Sequence, residues 1–368
     1  MKVLSIFGTR PEAIKMAPVV KELGKYSEIE SVVCVTAQHR QMLDQVLSLF
    51  GIEPDYDLNL MQPNQSLAKI TALALTELDV VLEKEKPDWV LTQGDTTTAM
   101  VGALAAFYRH IKIGHVEAGL RTWDKFQPFP EEINRKIADA VCDLHFAPTA
   151  QSRENLLRES VNSNSIIVTG NTVIDALLEV AAKDFDWTSG ELATVPQNKK
   201  IILVTAHRRE NFGRPLYEIC LALKEIAARY PEIQIVYPVH LNPNVQQVVR
   251  TELGAIANIT LLEPLDYLPL VQLMKASHLV LTDSGGLQEE APGLGKPVLV
   301  LREVTERPEG VEAGTVKLVG TDKARIVSET VRLLEDAAEY GRMAQAVNPY
   351  GDGKASQRIV ESLLSFES

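Results

Sequence analysis

Cysteine is scarce in this chain: Cys34, Cys142 and Cys220 are the whole complement of 368 residues. Odd in number, far apart and set in apolar segments, they supply neither a disulfide framework nor a metal-binding spacing, and they suit a reduced, cytoplasmic protein. Long hydrophobic runs are missing as well. No stretch approaches the roughly 20 apolar residues of a membrane span, and the residues before Arg10-Pro11 are too few for a secretory leader. Positive charge is outweighed, with 37 Lys and Arg against 49 Asp and Glu and a formal net charge of −12. That balance argues against nucleic acid as a partner. A small anion is not excluded, because local cations act within a screening length of about 8 Å. Also absent is a Gly-x-Gly-x-x-Gly after the first apolar run. A tightly held NAD is therefore not expected, nor is a metal or any other cofactor.

What is present is alternation. Short apolar runs at residues 3–7, 32–36, 89–92, 111–116, 145–148 and 166–169 read as buried strands. The segments between them, such as 11–25 and 67–85, have helical periodicity. Repeated βα units predict a parallel sheet. Residues 184–200 break this rhythm with Gly190, Pro196 and Asn198 and read as an interdomain connection. A second series follows, with runs at 201–205, 234–238, 259–262, 278–282, 297–301 and 315–318. The expectation is an α/β chain of two Rossmann-like, doubly wound domains facing a central cleft, divided as 1–183 and 184–354.

Unusual polar residues fall just past the strands, where such sheets bind ligands. Gly8-Thr-Arg-Pro-Glu-Ala-Ile-Lys15 follows the first strand, Gln93-Gly-Asp-Thr-Thr-Thr98 the third, and Glu117-Ala-Gly-Leu-Arg-Thr122 the fourth. His207-Arg-Arg-Glu-Asn211 and Asp283-Ser-Gly-Gly286 occupy the same position in the second half. Asp95, ahead of three threonines, fits a helix cap as well as a catalytic group. Glu117 has no periodicity or cap to justify it and reads as functional. Glu131, after Pro130 and beside Glu132, fits an ordinary first helical turn. His207, followed by two arginines, suits an anion site better than a bare surface loop. Gln38-His39-Arg40-Gln41 most simply begins a surface helix.

The stretch Asp283-Ser-Gly-Gly-Leu-Gln-Glu-Glu290 poses a question of its own. Ser284, Gly285 and Gly286 make an anion nest at a helix start. Yet two carboxylates, Glu289 and Glu290, follow about one turn later. Gly351-Asp-Gly-Lys-Ala355 imitates part of a phosphate-binding loop but lacks its first glycine, the hydroxyl after Lys354 and a preceding strand.

Taken together, Ile6-Phe-Gly-Thr-Arg-Pro-Glu12, Gly94-Asp-Thr-Thr-Thr98, His115-Val-Glu-Ala-Gly-Leu-Arg121, Pro130-Glu-Glu-Ile-Asn-Arg135, Gly170-Asn-Thr-Val-Ile-Asp175, His207-Arg-Arg-Glu-Asn211, Thr282-Asp-Ser-Gly-Gly-Leu-Gln-Glu-Glu290 and Glu306-Arg-Pro-Glu309 resemble the bacterial non-hydrolysing UDP-N-acetylglucosamine 2-epimerases. The resemblance runs from residue 1 to about 365, with the motifs in family order and spacing. It implies a glycosyltransferase-B-type fold, a homodimer, and a final helix at about 355–366 that returns to the N-terminal domain. It implies interconversion of UDP-N-acetylglucosamine and UDP-N-acetylmannosamine for surface polysaccharide synthesis.

Residue by residue, the resemblance assigns Asp95, Glu117, Glu131 and His207 to catalysis. It puts Arg10 and Lys15 near the diphosphate, and Arg135 and Arg307 along the cleft. Leu265 and Leu270 would contact the uracil, and Ser284, Gly285 and Gly286 the phosphates. Glu290 would receive the ribose hydroxyls, which answers the question above and leaves Glu289 structural or solvated. Gln38 and Gln41, with His39 between them, match an allosteric site for a second substrate molecule.

The chemistry implied is elimination. The carbon 2 hydrogen is not next to a carbonyl, and no redox cofactor is expected. Breaking the bond from carbon 1 to UDP makes that proton removable and gives a 2-acetamidoglucal, to which UDP adds back. Such a scheme needs two acid–base groups on opposite faces, drawn from Asp95, Glu117 and Glu131, and cations for the departing diphosphate. Retaining the intermediate implies cleft closure, with 184–200 and the C-terminal helix as the hinge region. A hydrolysing epimerase, a glycosyltransferase and a silent sugar-nucleotide sensor are the rival readings.

Overall fold

In a computed structural model the described residues are 1–36, 40–60 and 65–366, without the side chains of Arg40 and Gln41. The chain divides into two compact units, one of residues 1–176 with 350–368 and one of residues 177–349.

The first unit holds a parallel sheet built from β1 (Lys2–Phe7), β2 (Glu30–Val35), β3 (Tyr56–Asp57), β4 (Trp89–Gln93), β5 (Lys112–Val116), β6 (Leu144–Ala147) and β7 (Ile166–Val168). Their spatial order is β3-β2-β1-β4-β5-β6-β7. The apolar runs are continuous because helices cover both faces; every residue of β4 is buried. β3 escapes the sequence reading since it is a two-residue, polar edge strand, held only by pairing Cys34 with Tyr56 and Val35 with Asp57. The order reverses between β1 and β4, which opens a crevice at their carboxyl ends.

The second unit repeats the plan with β8 (Lys200–Thr205), β9 (Ile233–Pro238), β10 (Ile259–Leu262), β11 (Ser277–Thr282), β12 (Val298–Val300) and β13 (Val316–Leu318). Their order is β10-β9-β8-β11-β12-β13, with the reversal between β8 and β11. Among the described residues no helix is long and apolar enough to cross a membrane.

The division between the units falls inside the helix Thr172–Ala181. Gln272 donates to the carbonyls of Val180 and Lys183, and Lys275 to that of Ala181, so the end of that helix and residues 184–200 belong with the second unit. The helix Ala355–Phe366 belongs with the first. Phe366 meets Trp89 edge-on at 5.2 Å, and the Asp175 carboxylate takes the backbone N–H groups of Ala355 and Ser356 at the helix start. The glycines of Gly351-Asp-Gly-Lys-Ala355 serve this return of the chain: Gly170 and Gly351 approach backbone to backbone, and Asn171 N–H donates to the Tyr350 carbonyl.

Candidate active site

The first unit gathers its polar groups where β1, β4, β5 and β7 end. After β1 the helix Arg10–Leu23 starts on a capping box: Thr9 accepts from Glu12 N–H while the Glu12 carboxylate takes the N–H groups of Gly8 (3.0 Å) and Thr9 (2.7 Å). Arg10 therefore sits half-buried on the first helical turn. Glu12 also accepts from the Thr96 hydroxyl, which ties this loop to the one after β4. Burial raises the Glu12 carboxyl above its ordinary range, against the pull of those donors.

Glu117 is the centre of a second knot. It follows β5 with φ +66°, a left-handed conformation that costs a non-glycine residue of order 1–3 kcal/mol. Lys15 Nζ bridges its two oxygens at 2.6 and 2.7 Å, Asn171 donates to it at 2.9 Å, and Gln93 adds a further hydrogen bond. Lys15 and Glu117 thus form a nearly buried ion pair, with side chains 18% and 5% exposed.

Asp95 lies one residue past Gly94, whose N–H donates to the Val116 carbonyl and whose Cα faces Glu117. It is not the cap of the following helix, Thr97–Tyr108; Thr96 fills that role by accepting from Ala99 N–H. Asp95 instead receives a forked pair of bonds from Arg135, at 3.0 and 2.6 Å. Arg135 is aimed by Glu132, which also takes the N–H groups of Thr122 and Trp123. Glu131 opens the helix Glu131–Val141, and among the described residues its buried Oε2 has no hydrogen-bond partner.

In the second unit, Asp283 after β11 is wholly buried and builds the loop after β8. Its Oδ2 takes the N–H groups of His207 and Arg208, each at 2.8 Å, and the Asn211 amide at 2.9 Å. The His207 ring stacks on His240 at 5.3 Å. Burial pushes the imidazole below its ordinary range; Asp283 opposes this, and His240 and Arg208 reinforce it.

The helix Gly285–Gly293 begins beside two guanidinium groups. A methyl group on Gly285 would lie 3.5 Å from Arg208 and 3.6 Å from Arg307, so free N–H groups and two cations share one small space. Glu289 is buried and paired with Arg307 at 2.5 Å, hence not solvated. Glu290 is also buried and accepts from the Tyr267 hydroxyl at 3.0 Å. Leu265 lies buried past β10, and Leu270 is half-buried in the helix Tyr267–Ala276.

Gln38 and His39 lie outside the described residues, as does the side chain of Gln41. Sequence reasoning gave no individual role to Gln93, Glu132, Asn171, Arg208, Tyr267 and Asp283, although Gln93, Arg208 and Asp283 lie in the strand-end segments it marked. A polar residue closing a buried run, as in Gln93 and Asp283, was the available signal. The others are chosen by partners distant in sequence.

The family model described as UDP-N-acetylglucosamine 2-epimerase matches residues 21–364. The chain belongs to this family. The UDP-N-acetylglucosamine 2-epimerase of Escherichia coli K12 is 59% identical over 369 residues, covering 99% of this chain and 98% of that one. The crystal structure of the epimerase from Neisseria meningitidis bound to UDP-GlcNAc has a TM-score of 0.88 at 54% identity, covering 99% of this chain and 100% of that one. The glycotransferase of kitacinnamycin, at 12% identity and a TM-score of 0.66 over 99% of this chain and 98% of that one, shares the fold alone. Within the 2-epimerase family, Asp95, Glu117 and Asp283 fall inside the matched span, whereas Lys15, the ion-pair partner of Glu117, lies before it.

Proposed function

We propose that this chain interconverts UDP-N-acetylglucosamine and UDP-N-acetylmannosamine without net hydrolysis. The carrying observation is that Asp95 and Glu117 leave neighbouring strands at the same end, each held by its own cation, Arg135 and Lys15. Acid–base side chains fixed in this way suit removal and return of a carbon-bound proton.

In the proposed cycle a base takes the carbon 2 proton. The electrons of that bond form the carbon 1–carbon 2 double bond, and the carbon 1–oxygen bond breaks with its electron pair going to UDP. The 2-acetamidoglucal then receives a proton on the opposite face while a UDP oxygen re-attacks carbon 1. Asp95 serves as one base, with Glu117 or Glu131 as its partner. The Ser284-Gly285-Gly286 nest, Arg208, Arg307 and His207 take the charge of the departing diphosphate, Arg10 assists, Glu290 receives the ribose, and Leu265 and Leu270 flank the base.

The same reading takes the enzyme as a cytoplasmic homodimer, regulated through Gln38, His39 and Gln41 by a second sugar nucleotide, whose product is a donor for polysaccharide assembly. The test is incubation with UDP-N-acetylglucosamine in D₂O, followed by NMR. The expected result is UDP-N-acetylmannosamine deuterated at carbon 2 with the UDP linkage retained. Free sugar plus UDP would replace the reading with hydrolysis, turnover only with an acceptor with a transferase, and no turnover with a sensor.

A further inference from the structure

Behind the Gly94–Asp95 turn lies a histidine that the reaction scheme does not use. His115 is on β5, fully buried, with Nδ1 2.6 Å from Asp139 Oδ1 and Nε2 2.7 Å from the Gly94 carbonyl oxygen. Neither partner offers a proton. A peptide carbonyl only accepts, and an ionised carboxylate does the same. The other Asp139 oxygen already receives Arg121 Nη2 at 2.6 Å, which favours the carboxylate form. A neutral imidazole carries one ring proton, so one of its two contacts would set lone pair against lone pair at under 2.8 Å.

We propose that His115 is a buried imidazolium that positions the Gly94–Asp95 turn, and through it Asp95, for the reaction proposed above. Gly94, at φ +72°, is thereby fastened to β5 at both ends of its peptide chemistry: its N–H donates to Val116 and its carbonyl accepts from His115.

The surroundings are consistent with a retained charge. Asp139 comes from the helix Glu131–Val141 and Arg121 from the segment after β5, where it also meets Glu159. His145, opposite His115 in the register of β6, meets the Asp139 carbonyl through Nε2 at 2.8 Å, and among the described residues its Nδ1 has no hydrogen-bond partner. Glu117, two residues further along, is compensated by Lys15 from the helix Arg10–Leu23. Burial disfavours the charge on His115, but Asp139 outweighs it, and the net displacement is upward from 6.5.

The deciding measurement is a long-range proton–nitrogen NMR spectrum of the full chain labelled at histidine, with His115→Gln giving the assignment. The expected result, carried by the two acceptor contacts of the ring, is a His115 protonated on both nitrogens at neutral pH. A single neutral tautomer at neutral pH would overturn the proposal.

Two substitutions separate the two ring contacts. The amide of His115→Gln reaches the Nε2 position and keeps the bond to Gly94, whereas that of His115→Asn reaches only Asp139. We expect His115→Asn to lower kcat at least about tenfold, the rate equivalent of one hydrogen bond, with UDP affinity unchanged within about twofold. His115→Gln should recover part of that loss. Equal losses in both variants, or a loss confined to thermal stability, would count against positioning. The ring-charge measurement needs no turnover. A charged ring in a protein that does not epimerise would overturn the function alone, and a neutral ring in an active one would overturn only this inference.

Discussion

The ammonium of Lys15 lies 2.6 and 2.7 Å from the two carboxylate oxygens of Glu117, a residue 102 positions away. The pair is nearly buried, so each charge depends on the other. Lys15→Met strands the Glu117 carboxylate; we expect a loss of about 3 kcal/mol in urea denaturation. A fall in kcat of more than about tenfold should accompany it. A stable, fully active variant would show that the pair is incidental.

Asp95→Asn, Glu117→Gln and Glu131→Gln preserve side-chain shape while removing the proton acceptor. Each should lower turnover at least about 100-fold, with UDP still bound in calorimetry because the anion nest lies in the second unit. Near-normal rates in all three would refute the acid–base assignment.

His207 has an imidazole displaced downward by burial, so at neutral pH it is uncharged beside the anion nest. A bound diphosphate favours the charged ring, so UDP binding should take up a proton and strengthen as the pH falls below 6.5. Calorimetry in buffers of different ionisation enthalpy measures that proton, and UDP's own titration is subtracted with His207→Asn. Equal proton uptake in both proteins would remove His207 from the diphosphate site.

Asp139 bears on acid stability. Burial opposes its charge, but His115 and Arg121 prevail and pull the carboxyl down from 3.8 to about 2. The folded value lies below the unfolded one, so the contribution is complete above 3.8 and disappears as the pH falls toward about 2. It amounts to about 2 kcal/mol. Denaturation curves at about pH 5 and about pH 3 should differ less for Asp139→Asn than for the parent chain.

Two glycines should respond oppositely to alanine. Gly119 has φ +87°, and an added Cβ would stand 2.3 Å from the Ser152 carbonyl oxygen. Gly119→Ala should cost about 2–4 kcal/mol of stability. At Gly285 the nearest atom would be 3.5 Å away, so Gly285→Ala should fold normally. Its methyl group occupies the space between the helix N–H groups and the two guanidiniums, and UDP should bind about tenfold more weakly.

The sequence by itself determined the class of the fold, because buried parallel strands must be apolar runs and their covering helices must be amphipathic. It also marked the polar strand ends, since Asp95, Glu117, His207 and Ser284 each stand just past a buried apolar run. Only the tertiary structure decided the pairings. Whether Asp95 capped a helix was open until Thr96 took the cap and Arg135 took Asp95. Glu132 looked like an ordinary first-turn acid, and Glu289 like a structural or solvated one, until each was found buried against an arginine. Hydrogen bonds and ion pairs between residues tens of positions apart depend on which strand ends lie side by side. That adjacency is set by β1 meeting β4 and β8 meeting β11, and it leaves no local trace in composition or spacing.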